Sequence, residues 1–412
     1  MSRRRRTAAA AAVVVLAAGV VAEVVVYLRS GRDVIGNSTV EFQPRDLPAR
    51  PEPVAATPWP TWGLDPARDR SLPASAPPPY RVRWRFAGRS LLEFPPALAY
   101  GRVFLPTFAG LLVALDADSG KVLWRHASGR CAWASPAVAD GLVYQTFLLR
   151  PPRCDPARGR AGTLVALDAA SGRVRWRVAL PPTESSPLVW HGLVYVGDWS
   201  GHVSAFDART GARRWSIVTQ GPVKGSVAVA DGRAYVGAYD GRLYALDART
   251  GRVLWRTSSR SRLGRRGAFY STPAIAYGRV YLGSTDGSVY SFGAVSGKLR
   301  WSHRTGGYVY GSPAVWRRRI LVGSYDGRFY ALDAATGRVR WSFAGGAPIS
   351  GSASVLGRIV YLSTLGERTF GLDAAIGREL WRFPDGKYSP MVADGRRLYL
   401  TGYSHLYALL PR

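Results

Sequence analysis

The chain has 412 residues, 47% of them hydrophobic, enough to bury a large core. Lys and Arg outnumber Asp and Glu by 56 to 27, a formal net charge of +29. The basic residues are 52 Arg and only 4 Lys, spread with no long basic block after residue 6 and no nucleic-acid-binding motif. That argues against a nucleic-acid partner and leaves attraction to an anionic envelope polymer or lipid surface.

Taken in chain order, "MSRRRR" opens the sequence as a basic end at residues 1–6, followed by an apolar run, Thr7 to Leu28. As a helix these 22 residues would be roughly 33 Å long, enough to span a bilayer. Arg3 to Arg6 would hold their end in the cytoplasm and send the rest of the chain outside. Glu23 is tolerable near the outer end of such a span. A cleaved signal peptide is the rival reading, with Val20-Val21-Ala22 as its small-residue site, and a retained anchor is favoured. No Cys follows the apolar run to take a lipid. Residues 29–79 are rich in Pro, Arg and small residues and read as an extended tether. The stretch "WPTWGLDPARDR", within residues 58–70, is too aromatic for an idle linker, so Trp59 and Trp62 are expected to dock on the domain that follows.

Residues 80–412 repeat. "YALDARTGRVLW" at Tyr244 to Trp255 returns as "YALDAATGRVRW" at Tyr330 to Trp341. The repeat Trp falls at 84, 124, 176, 215, 255, 301, 341 and 381, a spacing near 40 residues filled with short alternating strands. That period predicts an all-β propeller of four-stranded blades. In each unit the Asp accepts hydrogen bonds from turn amides, the Gly takes the positive φ of a tight hairpin, and the Trp fills the gap to the neighbouring blade. The unit "YRVRWRF" at 80–86 has no blade before it, and "HLYALL" at 405–410 has no Trp strand after it. Pairing the two ends closes an eight-bladed ring and removes the exposed edges. Gly293 in place of Asp and Ile376 in place of Ser or Thr weaken single turns only.

The "ALDAxTGxxxW" units resemble the repeat of pyrroloquinoline-quinone (PQQ) dehydrogenases and of their non-enzymatic relatives, including the propeller lipoprotein of the outer-membrane β-barrel assembly machinery. The resemblance covers residues 80–412 and implies the propeller. For activity it divides, because the Trp motif is structural in both branches. The dehydrogenases hold PQQ flat in the channel with Ca²⁺ polarising its carbonyl, an Asp as base, and a Glu and an Asn among the metal ligands. Here Glu93 or Glu184 fits the Glu role and Asp385 the base, but the only Asn is Asn37 in the tether. There is no vicinal Cys pair, no haem-attachment motif and no Ser, His and Asp arrangement of a hydrolase. The five His are scattered, so no metal site is expected.

Information is expected where the repeat varies. Three residues before the Pro of each "SPAV" segment stand Glu93, Trp133, Glu184, Lys224, Tyr270, Tyr310, Ser350 and Lys387, a ring at the start of the inner strands. Two of the four Lys and two of the seven Glu in the chain are here. Two readings stay open: inter-blade Lys–Glu pairs, Lys387 with Glu93 and Lys224 with Glu184, or a ligand-binding ring at the channel mouth. Cys131 and Cys154 belong to loops on this same face and are expected to pair outside the cytoplasm, holding the insertion "QTFLLRPPRCDPARGRAG". Arg260, Arg262, Arg265 and Arg266 lie in a second long loop on that face, either solvated or forming an anion-attracting lip.

The expected function is a membrane-anchored, extracytoplasmic, non-catalytic propeller that binds an envelope protein or peptide through its looped face and channel mouth, with no cofactor. The alternatives are a PQQ-dependent dehydrogenase or PQQ sensor, using PQQ with Ca²⁺, and binding of an anionic envelope polymer.

Overall fold

The computed structural model describes residues 33–43, 57–73, 76–149, 154, 161–260, 266–388 and 391–412. The basic end and the expected transmembrane segment 7–28 lie outside the described residues. Among the described residues no helix is long and apolar enough to cross a membrane.

The strands form eight sheets arranged as the blades of a propeller. Blade four is typical, with an inner strand Ala228–Ala230, then Arg233–Gly237, Arg242–Asp247 and the outer Val253–Ser258, each antiparallel to the next. Middle strands are buried on both faces, whereas outer strands alternate with solvent. The ring closes as the sequence requires. Tyr80–Ala87 pairs with His405–Pro411, running from Tyr80 opposite Pro411 to Ala87 opposite His405.

The repeated sentence is a joint between blades. In seven blades the Trp indole N–H donates to the Ala carbonyl of the next blade's turn, "DA" in six and "GA" in one, from Trp84 to Ala117 at 3.2 Å through Trp341 to Ala374 at 3.3 Å. The Gly of that turn is there for more than its φ of +70°. A Cβ on Gly120 would lie 2.6 Å from the Trp84 ring, so only glycine lets the indole lie flat on the turn. Within the turn, Asp333 Oδ1 accepts from the Thr336 N–H and hydroxyl at 2.9 Å each, while Oδ2 pairs with Arg340.

Gly293 breaks this pattern, and the tether compensates. Residues 33–43 run down the outside of blade five, where Val34 bridges to Ser302 and the Arg279 guanidinium binds the carbonyls of Asn37, Val40 and Glu41. The Glu41 carboxylate then accepts from Ser296 at 2.7 Å and from Arg300 Nε at 2.8 Å, the partners that the missing turn Asp would have held. A Cβ at position 293 would overlap that carboxylate. The departure from the repeat is therefore a socket for the tether and not simply a weakened turn.

Residues 57–72 enter the central channel. Their carbonyls take the N–H groups that the inner strands leave unpaired: Leu98 donates to Trp59, Val138 to Pro60, Val229 to Pro66, Ile275 to Ala67, Val315 to Asp69 and Val355 to Arg70. Ser71–Leu72 adds a short parallel strand to blade seven. Buried backbone donors need partners, and an inner sheet edge is where they run out. The expected docking segment thus forms a ring inside the propeller, with Trp59 2% exposed.

Candidate functional site

Each inner strand starts at the mouth of the channel, on the face opposite the turns that join first to second strands and the turns that carry the "DAxTG" sequences. One residue before the reference Pro, Ser or Thr side chains form a belt. Ser135 N–H donates to Ser186 Oγ, Ser186 to Ser226, Ser226 to Thr272, Thr272 to Ser312 and Ser312 to Ser352, at 2.8 to 3.0 Å. These hydroxyls satisfy channel-facing amides blade by blade, which explains why this position hardly varies. Two residues earlier no such duty exists, and the side chain is free to differ.

Six of the eight ring residues surround one cavity of about 80 Å³: Glu93, Glu184, Lys224, Tyr270, Tyr310 and Ser350. Its floor is the channel segment, through Trp62, and Phe94 and Tyr388 complete the aromatic wall. The channel is therefore a cup and not a passage. One water needs about 10–15 Å³ of such space, so the cup holds a few waters or the end of a single side chain. Glu184 is buried, and the Tyr270 hydroxyl donates to its Oε2 at 3.1 Å. Burial, and then the neighbouring Glu184 charge, push the Glu93 carboxyl up to about 7. Tyr270 is held far above the ordinary phenol range by burial and then by Glu184 and Glu93.

The other two ring residues are elsewhere. Trp133 stacks on Phe108, with ring centroids 5.5 Å apart, and is not part of the cup lining. Lys387, which one of the two open readings pairs with Glu93, has another carboxylate beside it. Lys387 Nζ lies 3.5 Å from Glu367 and 5.0 Å from the Tyr403 ring. Lys224 borders the cup, but its ammonium sits 3.6 Å over the Trp199 ring and 4.4 Å over Tyr239. The sequence reading missed this second circle of rings. Trp199, Tyr239, Tyr325 and Tyr403 come from the loops between second and third strands, and an aromatic in a turn that needs only small or polar residues was the available signal. Tyr239 and Tyr325 make a continuous arc with Tyr270, Tyr310 and Tyr308, Tyr270 to Tyr310 at 5.2 Å and Tyr310 to Tyr325 at 5.1 Å.

Below the floor two arginines of the channel segment are fully buried. Arg68 binds the carbonyls of Val227, Trp62 and Pro187 and the Thr61 hydroxyl, tying the segment to blades three and four. Arg70 lies 4.1 Å under the Trp62 ring and supports it from beneath. On the looped face Cys131 and Cys154 form a disulfide, and the Cys131 loop also pairs through its backbone with Leu148 and Leu149. Of the four lip arginines, Arg260 N–H donates to the Tyr290 hydroxyl and Arg266 is exposed, while Arg262 and Arg265 lie outside the described residues.

The residues expected to hold calcium-bound PQQ do not come together in the cup. PQQ is a tricarboxylate, and the cup offers two carboxylates against one ammonium. Asp385 accepts from the Tyr403 N–H and the Tyr407 hydroxyl, outside the cup lining, and Asn37 caps Thr39 in the tether. Among the described residues no three His, Cys, Asp or Glu side chains form a metal-holding group.

A PQQ-repeat family profile described as outer membrane protein assembly factor BamB matches residues 70–147, 157–222, 199–309 and 305–409. Polyvinylalcohol dehydrogenase of Sphingopyxis is 28% identical over 189 residues, 41% of this chain and 28% of that protein. Outer membrane protein assembly factor BamB of Bordetella pertussis is 28% identical over 132 residues, 32% of this chain and 31% of its own length. The matched stretches thus cover less than a third of either relative. The crystal structure of BamB from Moraxella catarrhalis superposes with a TM-score of 0.68 at 18% identity, over 81% of this chain and 100% of that one, a likeness of fold.

Proposed function

The chain belongs to the PQQ-repeat family described as outer membrane protein assembly factor BamB, and on that premise we propose that it is a non-catalytic, extracytoplasmic binding platform for an envelope protein or peptide. The observation that carries the reading is the blind cup. Its own N-terminal segment closes the channel, and the open end offers oriented carboxylates inside an arc of aromatic rings. Rigid aromatic and polar groups converging on a concave site are what recognition of a polypeptide uses. The disulfide supports an oxidising compartment, and residues 7–28 supply the membrane anchor.

Relatives named as dehydrogenases support the second reading, a PQQ-dependent dehydrogenase or PQQ sensor, and the charge of the cup counts against it. The net charge of +29 supports binding of an anionic envelope polymer, at the outer surface and not in the cup.

Photocrosslinking in cells tests the main reading. A benzophenone side chain in place of Tyr308, 52% exposed at the mouth, is expected to capture a defined envelope protein. The same group at Ile376, 61% exposed on the hairpin face, is expected to capture none. Capture from Ile376 alone would move the binding face to the other end of the propeller.

A further inference from the structure

The cup is an acidic spot on a strongly basic protein. Its two carboxylates, Glu93 and Glu184, are close enough that the charge on one opposes ionisation of the other. Glu184 is buried and aimed by Tyr270. Around them stand the rings of Trp62, Phe94, Tyr270, Tyr310 and Tyr388. A cation placed between two like charges relieves their repulsion, and aromatic faces attract the same cation while covering its methylene stem. The rim already uses this chemistry on the protein's own lysines, with Lys224 over Trp199 and Tyr239 and Lys387 near Glu367 and Tyr403.

The floor limits what can enter. Trp62, braced by Arg70, closes the channel, so an extended strand cannot thread it and only a tip can descend. The charge of the whole molecule limits it further. At +29 the surface repels a polybasic segment, while one positive charge flanked by neutral or acidic residues meets little opposition.

We infer that the cup receives a single positively charged tip of the partner polypeptide, an ammonium or guanidinium group, lodged between Glu93 and Glu184 with its stem against Tyr270, Tyr310 and Tyr388. This rests on the polypeptide-binding reading and adds the chemical identity of the group that is bound. Recognition is then local and single-sited: the tip supplies orientation, and the aromatic arc outside the cup supplies the remaining contact area.

The test is calorimetric titration of the full 412-residue chain in detergent micelles with four probes. These are the blocked peptide acetyl-Gly-Gly-Lys-Gly-Gly-amide, its norleucine counterpart, pentaglycine amide with a free amino terminus, and calcium chloride. The lysine peptide is expected to bind at least ten-fold tighter than the norleucine peptide, with Glu184→Gln removing most of that difference. Because Glu184 is buried and its replacement could impair folding, Glu93→Gln is measured alongside and is expected to reduce the difference in the same direction. A fifth probe, acetyl-pentalysine amide, is expected to bind no tighter than the single-lysine peptide. Binding by pentaglycine amide at matching strength assigns the tip to an amino terminus and supports the same chemistry. Equal binding of the lysine and norleucine peptides overturns the cationic tip while leaving polypeptide recognition standing. Absence of peptide binding in a chain that still crosslinks through Tyr308 does the same. Calcium binding at micromolar concentration that excludes the lysine peptide overturns it in favour of a divalent cation.

Discussion

Glu93 shows how much one side chain can report. Its carboxyl is pushed up to about 7, first by burial and then by Glu184. A carboxyl raised from an ordinary 4.5 contributes stability that is complete below that value and is lost as pH rises through about 7. Around it stand Glu184, Tyr270 and Tyr388, with Lys224 on the rim. Melting temperature is therefore expected to fall between pH 5 and 8 with a component that Glu93→Gln removes. Binding of a cation moves the opposite way, strengthening as pH rises through about 7. A melting curve whose pH dependence is the same in wild type and Glu93→Gln would show that Glu93 titrates normally.

Among elements, the channel segment and the outer strap hold the N-terminal part in place by different means. Trp59 is buried against blade one and shares a two-way backbone bridge with Leu98. Trp59→Ala is expected to cost about 3–5 kcal/mol, the range for emptying a large aromatic site, measured by denaturant unfolding. A loss below about 1 kcal/mol would mean that the segment is not part of the cooperative core. The strap depends on Glu41. Glu41→Ala is expected to cost about 1 kcal/mol and to speed limited proteolysis between residues 33 and 43, leaving the blades intact. Gly293→Asp should have the same effect, since the restored turn carboxylate competes with Glu41 for Ser296 and Arg300. The sequence exposed Gly293 as a departure and Trp59 and Trp62 as too aromatic for a linker. It could not reveal that a carboxylate more than 250 positions away fills the gap, because nothing local links residue 41 to residue 293.

For the whole molecule, the repeat made blade number and closure legible, since a Trp every 40 or so residues, a lone Trp strand at one end and a blade without its Trp strand at the other admit one ring. The site was legible in part. Variation against a fixed frame found six of the residues that line the cup, because the Ser/Thr belt holds the backbone of six blades in the same place. Trp133 and Lys387 fall outside the lining of this cavity, since equal register does not ensure equal direction once a side chain meets Phe108 or Glu367. The floor of the cup was legible only as a segment that docks, and not as one that closes the channel. It comes from a segment outside the repeat, and a propeller channel read from its blades alone looks open.

The most direct measurement on the central claim is calorimetric titration of PQQ, with and without Ca²⁺, into the purified chain, followed by dye reduction with a panel of alcohols and sugars. A cup of two carboxylates and one ammonium, closed below by the chain itself, predicts no binding at about tens of micromolar, a free energy weaker than roughly −6 kcal/mol. Tight, calcium-dependent binding accompanied by dye reduction would contradict the account and make Glu93 and Glu184 ligands of a redox centre.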